Sequence, residues 1–265
     1  LHDALPTYGS IDAGLVTQGS NITTTAALGD YVFNDLNANG IQDAGDTGIS
    51  GVVVQLLDSN GLNVIGTTTT DSTGHYAFTS LQAGTYEVSF TAPANYIFSP
   101  GGQGSDVNVD SNPDQFAGNV GTTEQIVLPE GITDNSIDAG MYQNAALGDY
   151  VFSDLNGNGI QDAGDTGIAG VTVNLLDSDG NQFETTTTSS TGYYSFTDLR
   201  PGAYSVQFVA PTGATFSPAL QGSDRGLDSN PDASTGITAQ VTLISGQTDN
   251  TIDAGLILPP ATPPG

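Results

Sequence analysis

The sequence predicts an all-β chain built as two tandem immunoglobulin-like β-sandwiches. Three observations carry that expectation. Apolar and polar residues alternate in short runs, the signature of half-buried strands. Turn formers such as Asp58-Ser59-Asn60-Gly61, Ser72-Thr73-Gly74 and Gln82-Ala83-Gly84 break those runs. A long block is also written twice: residues 27–61 and 146–180 differ at six of 35 positions. Repetition at so long a period marks tandem domains, since a solenoid would repeat over a much shorter one.

At the N-terminus, residues 8–16, YGSIDAGLV, match the last segment of each repeat, so 1–26 read as the closing strand of a preceding repeat plus a linker. Repeat 1 spans 27–144. In it Val52, Val54 and Leu56 share one strand face, Tyr76 and Phe78 a second, and Tyr86, Val88 and Phe90 a third. About seven strands in a unit of this size fit a two-sheet sandwich. Repeat 2 spans 145–258 and answers segment by segment. TGHYAFTSLQAGTYEVSF (73–90) returns as TGYYSFTDLRPGAYSVQF (191–208), QGSDVNVDSNPD (103–114) as QGSDRGLDSNPD (221–232), and TDNSIDAGMY (133–142) as TDNTIDAGLI (248–257). The Gln143-Asn144-Ala145 join is short enough to stack the two units with little freedom. Residues 259–265 are a Pro-rich linker.

Charge narrows the chemistry. The chain carries 29 Asp+Glu against two basic residues, Arg200 and Arg225, for a formal charge of −27, and it has no Cys. Such a surface repels phosphate backbones and anionic membrane surfaces, and no apolar run approaches the ~20 residues of a membrane span, so neither nucleic acid nor membrane insertion is expected. No disulfide, thiolate or lysine chemistry is open to it. A compact state with this charge is self-repelling, and bound metal cations are the economical remedy.

The strongest chemical signal is the loop Asp35-Leu36-Asn37-Ala38-Asn39-Gly40-Ile41-Gln42-Asp43-Ala44-Gly45-Asp46. Counted from Asp35, oxygen side chains fall at positions 1, 3, 5, 9 and 12, with glycine at 6 and the Ile41 carbonyl at 7, which is the spacing of an EF-hand calcium loop. A hard cation takes six to eight oxygens, and alternate residues of a tight loop aim theirs inward. The second copy supplies Asp154, Asn156, Asn158, Ile160, Asp162 and Asp165. Strands rather than helices are expected to flank both loops. Position 12 is Asp, one methylene shorter than the usual Glu, so moderate calcium affinity is expected, with some magnesium occupancy left open.

A second acidic cluster is Asp106, Asp110, Asn112 and Asp114 beside Ser105, repeated as Asp224, Asp228, Asn230 and Asp232 beside Ser223. A long, carboxylate-rich loop either binds ions or is a solvated turn cluster. Asp30 and Asp149 stand at a strand start within reach of either cluster. Asp134, Asp138, Asp249 and Asp253 surround the final strand, where strand-end capping competes evenly with ligation.

The run LGDYVF-x-DLN-x-NGIQD-x-GD-x-GI-x-GV, followed by TG-x-Y-x-F, QGSD, LDSN and TDN-x-IDAG, resembles the B repeat of the serine-aspartate-repeat surface adhesins. The resemblance covers both repeats and the 8–16 fragment. It implies a collagen-adhesin B-type sandwich, several Ca²⁺ per repeat with one in the EF-hand-like loop, and an extracellular spacer that projects a ligand-binding head. It also implies neighbouring repeats as partners. The chain departs from the family in having Phe33 and Phe152 where tryptophan is usual, and in having no lysine. The Lys–Asn isopeptide bond of related domains is therefore chemically impossible, which leaves calcium as the remaining staple.

Three functional readings are open. The first is a calcium-rigidified stalk, spacer or fibre segment, a homopolymer included, since millimolar extracellular calcium suits weak EF-type sites. The second is an adhesive or carbohydrate-binding module with Tyr8, Tyr96, Phe98 and Tyr142 as a platform, or a filament joined by strand exchange through 8–16. Core packing is the commoner fate of such aromatics. The third, an enzyme, finds no support: the only histidines are His2 and His75, and repeat 2 has Tyr193 in place of His75.

Overall fold

The computed structural model describes residues 25–260, and every regular element among them is a β-strand. The 8–16 fragment, Tyr8, and most of the 259–265 linker lie outside the described residues.

Repeat 1 is framed by β1 (Ala26–Asn34) and ends with β12 (Ala139–Gln143). These run parallel, Val32 opposite Ala139 and Asn34 opposite Met141. The strand that opens the repeat is thus stapled to the strand that closes it. β1 also pairs antiparallel with β5 (His75–Leu81), and takes the short β2 (Thr47–Gly48) and β11 (Thr133–Asp134), while β7 (Tyr96–Phe98) extends the sheet beyond β12. The opposing sheet runs β4 (Val64–Thr69), β3 (Val53–Leu57), β6 (Gly84–Thr91), β9 (Val120–Thr122), β8 (Gln115–Ala117), with β10 (Ile126–Leu128) on β6.

Repeat 2 repeats the plan. β13 (Ala145–Ser153) runs parallel to β22 (Ala254–Ile257) and carries β14 (Thr166–Gly167), β17 (Tyr193–Leu199) and β21 (Thr248–Asp249), with β19 (Thr215–Phe216) beyond β22. Its second sheet runs β16 (Gln182–Thr187), β15 (Thr172–Leu176), β18 (Gly202–Val209), β20 (Val241–Leu243). Among the described residues every strand pairing stays on one side of Asn144.

The alternating faces meet between the sheets. Val54, Leu56, Phe78, Val88, Phe90, Leu128 and Met141 form the first core, and Val173, Leu175, Phe196, Val206, Phe208, Leu243 and Leu256 the second. Each such side chain is worth about 1.5–3 kcal/mol when removed from water. Seven strands per repeat undercounts the structure. β2, β7, β11 and their counterparts span two or three residues, too few to show an alternation. Two core tyrosines anchor the approach to each closing strand. Tyr76 Oη donates to the Ile137 carbonyl at 2.8 Å and Tyr194 Oη to the Ile252 carbonyl at 2.7 Å. Each tether fixes the residue just before a buried aspartate, Asp138 or Asp253.

Candidate metal centres

The EF-hand-like loop leaves the end of β1 and turns back through β2, so strands flank it as the sequence suggested. Its first aspartate is buried. Asp35 Oδ1 accepts from Asn39 N at 3.2 Å and Oδ2 from Gly40 N at 2.7 Å. Asp46 closes the loop, accepting Leu36 N at 3.0 Å and Asp43 N at 2.9 Å. The side-chain amides of Asn37 and Asn39 both donate to Asp43 Oδ2 at 2.8 Å. Positions 1, 3, 5, 9 and 12 are thereby drawn into one hydrogen-bonded knot. Ile41 sits at the rim with its N–H held by Asn39 Oδ1 at 2.8 Å. Burial raises the Asp46 carboxyl, and the negative charges of Asp35 and Asp43 add to the rise.

The loop of repeat 2 has the same geometry. Asp154 accepts Gly157 N at 2.7 Å and Gly159 N at 2.8 Å, and Asp165 accepts Leu155 N at 3.1 Å. Asn156 and Asn158 both donate to Asp162 Oδ2 at 2.8 Å, and Ile160 N reaches Asn158 Oδ1 at 2.8 Å.

Glycine at position 6 is a steric requirement. Gly40 has φ +82°, and a Cβ there would stand 2.1 Å from the Pro100 carbonyl oxygen. Gly40→Ala is expected to destabilise repeat 1 by about 2–4 kcal/mol, because both the left-handed backbone and the contact must yield. Thermal unfolding checks this, and a midpoint equal to wild type would overturn it.

The second cluster is not separate from the first. Ile41 bridges Asp110 across an isolated antiparallel pair, with Gln42 N on the Val109 carbonyl at 2.7 Å and Ser111 N on the Gly40 carbonyl at 2.9 Å. Ser111 in turn bridges Asp138 of the closing segment, and Asn112 Oδ1 accepts from Asp138 N. Three segments remote in sequence thus converge. Ile160–Asp228 and Ser229–Asp253 build the same junction in repeat 2.

This convergence sorts the named residues. Asp110, Asn112 and Asp114 line one cleft of ≈ 370 Å³ with Glu124. Asp106 and Asp224 are exposed turn residues, accepting from Asn108 N and Gly226 N, each at 3.1 Å, and the charge of Asp106 is felt at Asp110. Asp232 caps a turn, accepting Ser234 N and Thr235 N, both at 3.0 Å. Asn230 Oδ1 accepts from Asp253 N at 2.5 Å. Asp134 and Asp249 are also turn caps, on Ser136 and Thr251. The charge of Asp30 is felt at Asp138, and its Oδ1 stands 3.4 Å from His75 Nδ1.

Asp138 and Asp253 are the residues that sequence reasoning undervalued. Both are fully buried. Asp138 Oδ1 accepts Tyr31 N at 3.1 Å, but among the described residues Oδ2 has no partner. Among the described residues the Asp253 oxygens make no hydrogen bond of ordinary length, although the Tyr150 N–H approaches them, and Oδ1 of Asp110 and of Asp228 has no partner. Burial, with the nearby charge of Asp30, pushes the Asp138 carboxyl up to about 8; burial and Asp149 do the same for Asp253. An unpaired buried carboxylate is expensive unless a proton or a cation joins it. Among the described residues no three Asp, Glu or His side chains gather into a ready cage. The side chains brought together are mixed instead, carboxylates with amides, whose oxygens are of the hard type that suits calcium. The signal available in the sequence was the IDAG motif, whose aspartate directly precedes the closing strand.

The two repeats meet end to end at the first loop. Ser245 N donates to the Leu36 carbonyl at 2.9 Å and Ser245 Oγ to Asn34 Oδ1 at 2.7 Å. Arg200 donates to the Ala38 carbonyl at 2.5 Å and stands 5.9 Å from the Tyr142 ring centroid. Tyr142 therefore serves the junction. Tyr96 and Phe98 pack against the first core. All three are half-buried, and Tyr96 and Phe98 also line a surface cleft with Ile97 and Phe116.

Paired β-sandwiches with acid-lined ends, stacked through a one-residue join, define a tandem-repeat β-sandwich module. The chain belongs to the SdrD B-like domain family, whose model matches residues 26–141 and 145–256. It is 41% identical over 255 residues to serine-aspartate repeat-containing protein F of Staphylococcus epidermidis, covering 96% of this chain and 14% of that protein. It is 42% identical over 234 residues to serine-aspartate repeat-containing protein D of Staphylococcus aureus strain Newman, covering 88% of this chain and 17% of that protein. The chain thus spans well under a fifth of either relative. Solved structures with some likeness include the minor pilin GBS52 of Streptococcus agalactiae (TM-score 0.31, 14% identity, covering 91% of this chain and 99% of that one). Another is the shaft pilin SpaA of Lactobacillus rhamnosus GG (TM-score 0.27, 10% identity, covering 91% of this chain and 100% of that one). At such scores these superpositions add nothing to the strand topology. Family membership places the chain outside the cell, at the cell surface. No helix among the described residues is long and apolar enough to cross a membrane.

Proposed function

We propose that the chain is a calcium-stiffened spacer: two stacked repeats whose acidic ends are neutralised and locked by Ca²⁺, several ions per repeat. The observation that carries this reading is the set of buried carboxylate oxygens on Asp110, Asp138, Asp228 and Asp253 that, among the described residues, lack a hydrogen bond of ordinary length, in a chain of net charge −27. Asp35, Asn37, Asn39, Asp43 and Asp46, with the Ile41 carbonyl, would hold one ion in repeat 1. Asp154, Asn156, Asn158, Asp162, Asp165 and Ile160 would hold its equivalent in repeat 2. Asp110 with Asp138, and Asp228 with Asp253, would hold further ions. A bound cation supplies positive charge where the fold gathers negative charge, and binding to the folded state alone adds stability by mass action. Calorimetric titration with calcium chloride, with ions counted by native mass spectrometry, tests the reading. At least one ion per repeat at micromolar-to-millimolar affinity supports it, and a chain that takes up none refutes it.

The junction explains why ions would stiffen more than one domain. The loop that would hold the first ion is the surface on which repeat 2 sits, through Ser245 and Arg200. Arg200→Ala is expected to loosen the join by about 1 kcal/mol, the worth of a cation–π contact and a charge-assisted hydrogen bond at a half-exposed site. The cysteine-free sequence allows one spin label per repeat on introduced thiols. The inter-label distance distribution should broaden in the variant while each repeat keeps its unfolding midpoint. An unchanged distribution would assign the join to the Ser245 contacts and the backbone without Arg200. Strand exchange as the means of filament assembly is less favoured, because β12 and β22 already fill the place beside β1 and β13.

A further inference from the structure

The loops 103–114 and 221–232 are identical except for three consecutive positions, Val107-Asn108-Val109 in repeat 1 and Arg225-Gly226-Leu227 in repeat 2. The difference falls beside the buried aspartate. In repeat 1, Val107 is 64% exposed, and Asn108 turns back to cap Asp106 through its side chain at 2.7 Å. Among the described residues no cationic side chain pairs with Asp110, and its Oδ1 is unpartnered. In repeat 2 Asp224 stands at the position of Asp106 and is capped by the Gly226 N–H. The side chain of Arg225 turns inward, and its Nη1 meets Asp228 Oδ2 at 2.6 Å. Arg225 is one of only two basic residues among 265.

We infer that Arg225 is a resident cation of repeat 2, supplying at the Asp228–Asp253 cluster part of the positive charge that repeat 1 must draw from solution at Asp110–Asp138. The guanidinium leaves Asp228 Oδ1 unpartnered and the Asp253 oxygens without a hydrogen bond of ordinary length among the described residues, so it does not complete the cluster. It is itself 58% exposed and tethered by one side, so it is free to swing out. A divalent ion arriving there must displace it or sit beside a like charge, and either route weakens binding. The two repeats therefore differ in ion demand. Repeat 2 binds calcium at this cluster at least about tenfold more weakly than repeat 1, and leans on calcium less for its stability. This rests on the calcium reading of the chain.

The test uses the full chain and calcium chloride. Arg225→Val installs the residue of repeat 1, Arg225→Lys keeps the charge, and the swap Val107→Arg with Asn108→Gly and Val109→Leu transplants the repeat 2 loop. In calorimetric titration Arg225→Val should tighten one site about tenfold or more, the transplant should weaken one by as much, and Arg225→Lys should stay near wild type. In excess chelator Arg225→Val should lower the unfolding midpoint and the transplant should raise it. If wild type binds calcium but neither exchange moves an affinity, the inference about Arg225 is overturned while the calcium reading stands. If wild type binds no calcium, the calcium reading fails, and the chelator midpoints alone decide whether the guanidinium neutralises Asp228: no change in either variant overturns that too.

Discussion

Moving the chain from millimolar calcium into excess chelator is expected to lower its thermal midpoint by about 20 °C, or to abolish the cooperative transition. The magnitude comes from mass action. An ion present at about a hundred times its dissociation constant adds about 2.7 kcal/mol, so two such ions per repeat add about 5 kcal/mol. For a unit of this size each kcal/mol moves the midpoint by about 4 °C. No disulfide is present to hold the apo form, since the chain has no Cys. Differential scanning calorimetry in matched ionic strength checks the effect, sodium chloride standing in for calcium to separate general screening from site binding. Superimposed curves would show the acidic loops to be ordinary turns.

The double variant Asp138→Asn, Asp253→Asn is expected to change sign with calcium. With calcium present it removes a ligand from each repeat and should lower the midpoint by about 5–10 °C, one weakened site of about 2 kcal/mol per repeat. In chelator at pH 8 the same exchange removes a buried, uncompensated charge and should raise the midpoint. Burial lifts both apo carboxyls to about 8, above their unfolded value. The folded state then binds more protons than the unfolded state between about pH 4 and 8. Stability from these groups is complete below that window and is lost as pH rises through it. Wild type in chelator should therefore lose stability from about pH 5 to 8, the variant should be flat by comparison, and calcium should release protons when it binds wild type. A variant less stable than wild type in chelator at pH 8 would mean that Asp138 and Asp253 serve through geometry and not through charge.

Much of this was legible in the sequence because it is encoded locally. The alternation Val52, Val54, Leu56 is a property of the extended backbone, whose side chains point to opposite faces in turn. The knot from Asp35 to Asp46 needs only a run of successive residues and a glycine that tolerates φ +82°. The carboxylates around the closing strand were harder to rank. Asp134 and Asp138 lie close together and look alike in the sequence, yet one caps a turn and the other is buried with a bare oxygen. Local turn chemistry describes the first. The second is defined by Ser111, Asn112 and Tyr31, which reach it from remote parts of the chain.

By itself, then, the sequence determined the all-β class, the duplication, the family and the two EF-hand-like loops, since each depends on spacing along the chain. Only the tertiary structure decided that the two acidic clusters of a repeat adjoin, that Asp138 and Asp253 belong to them, and that Arg200 and Arg225 stand at a junction and a cluster. The reason is physical. Covalent geometry fixes which neighbours along the chain share a face, whereas burial and the pairing of distant strands fix which charges share a space.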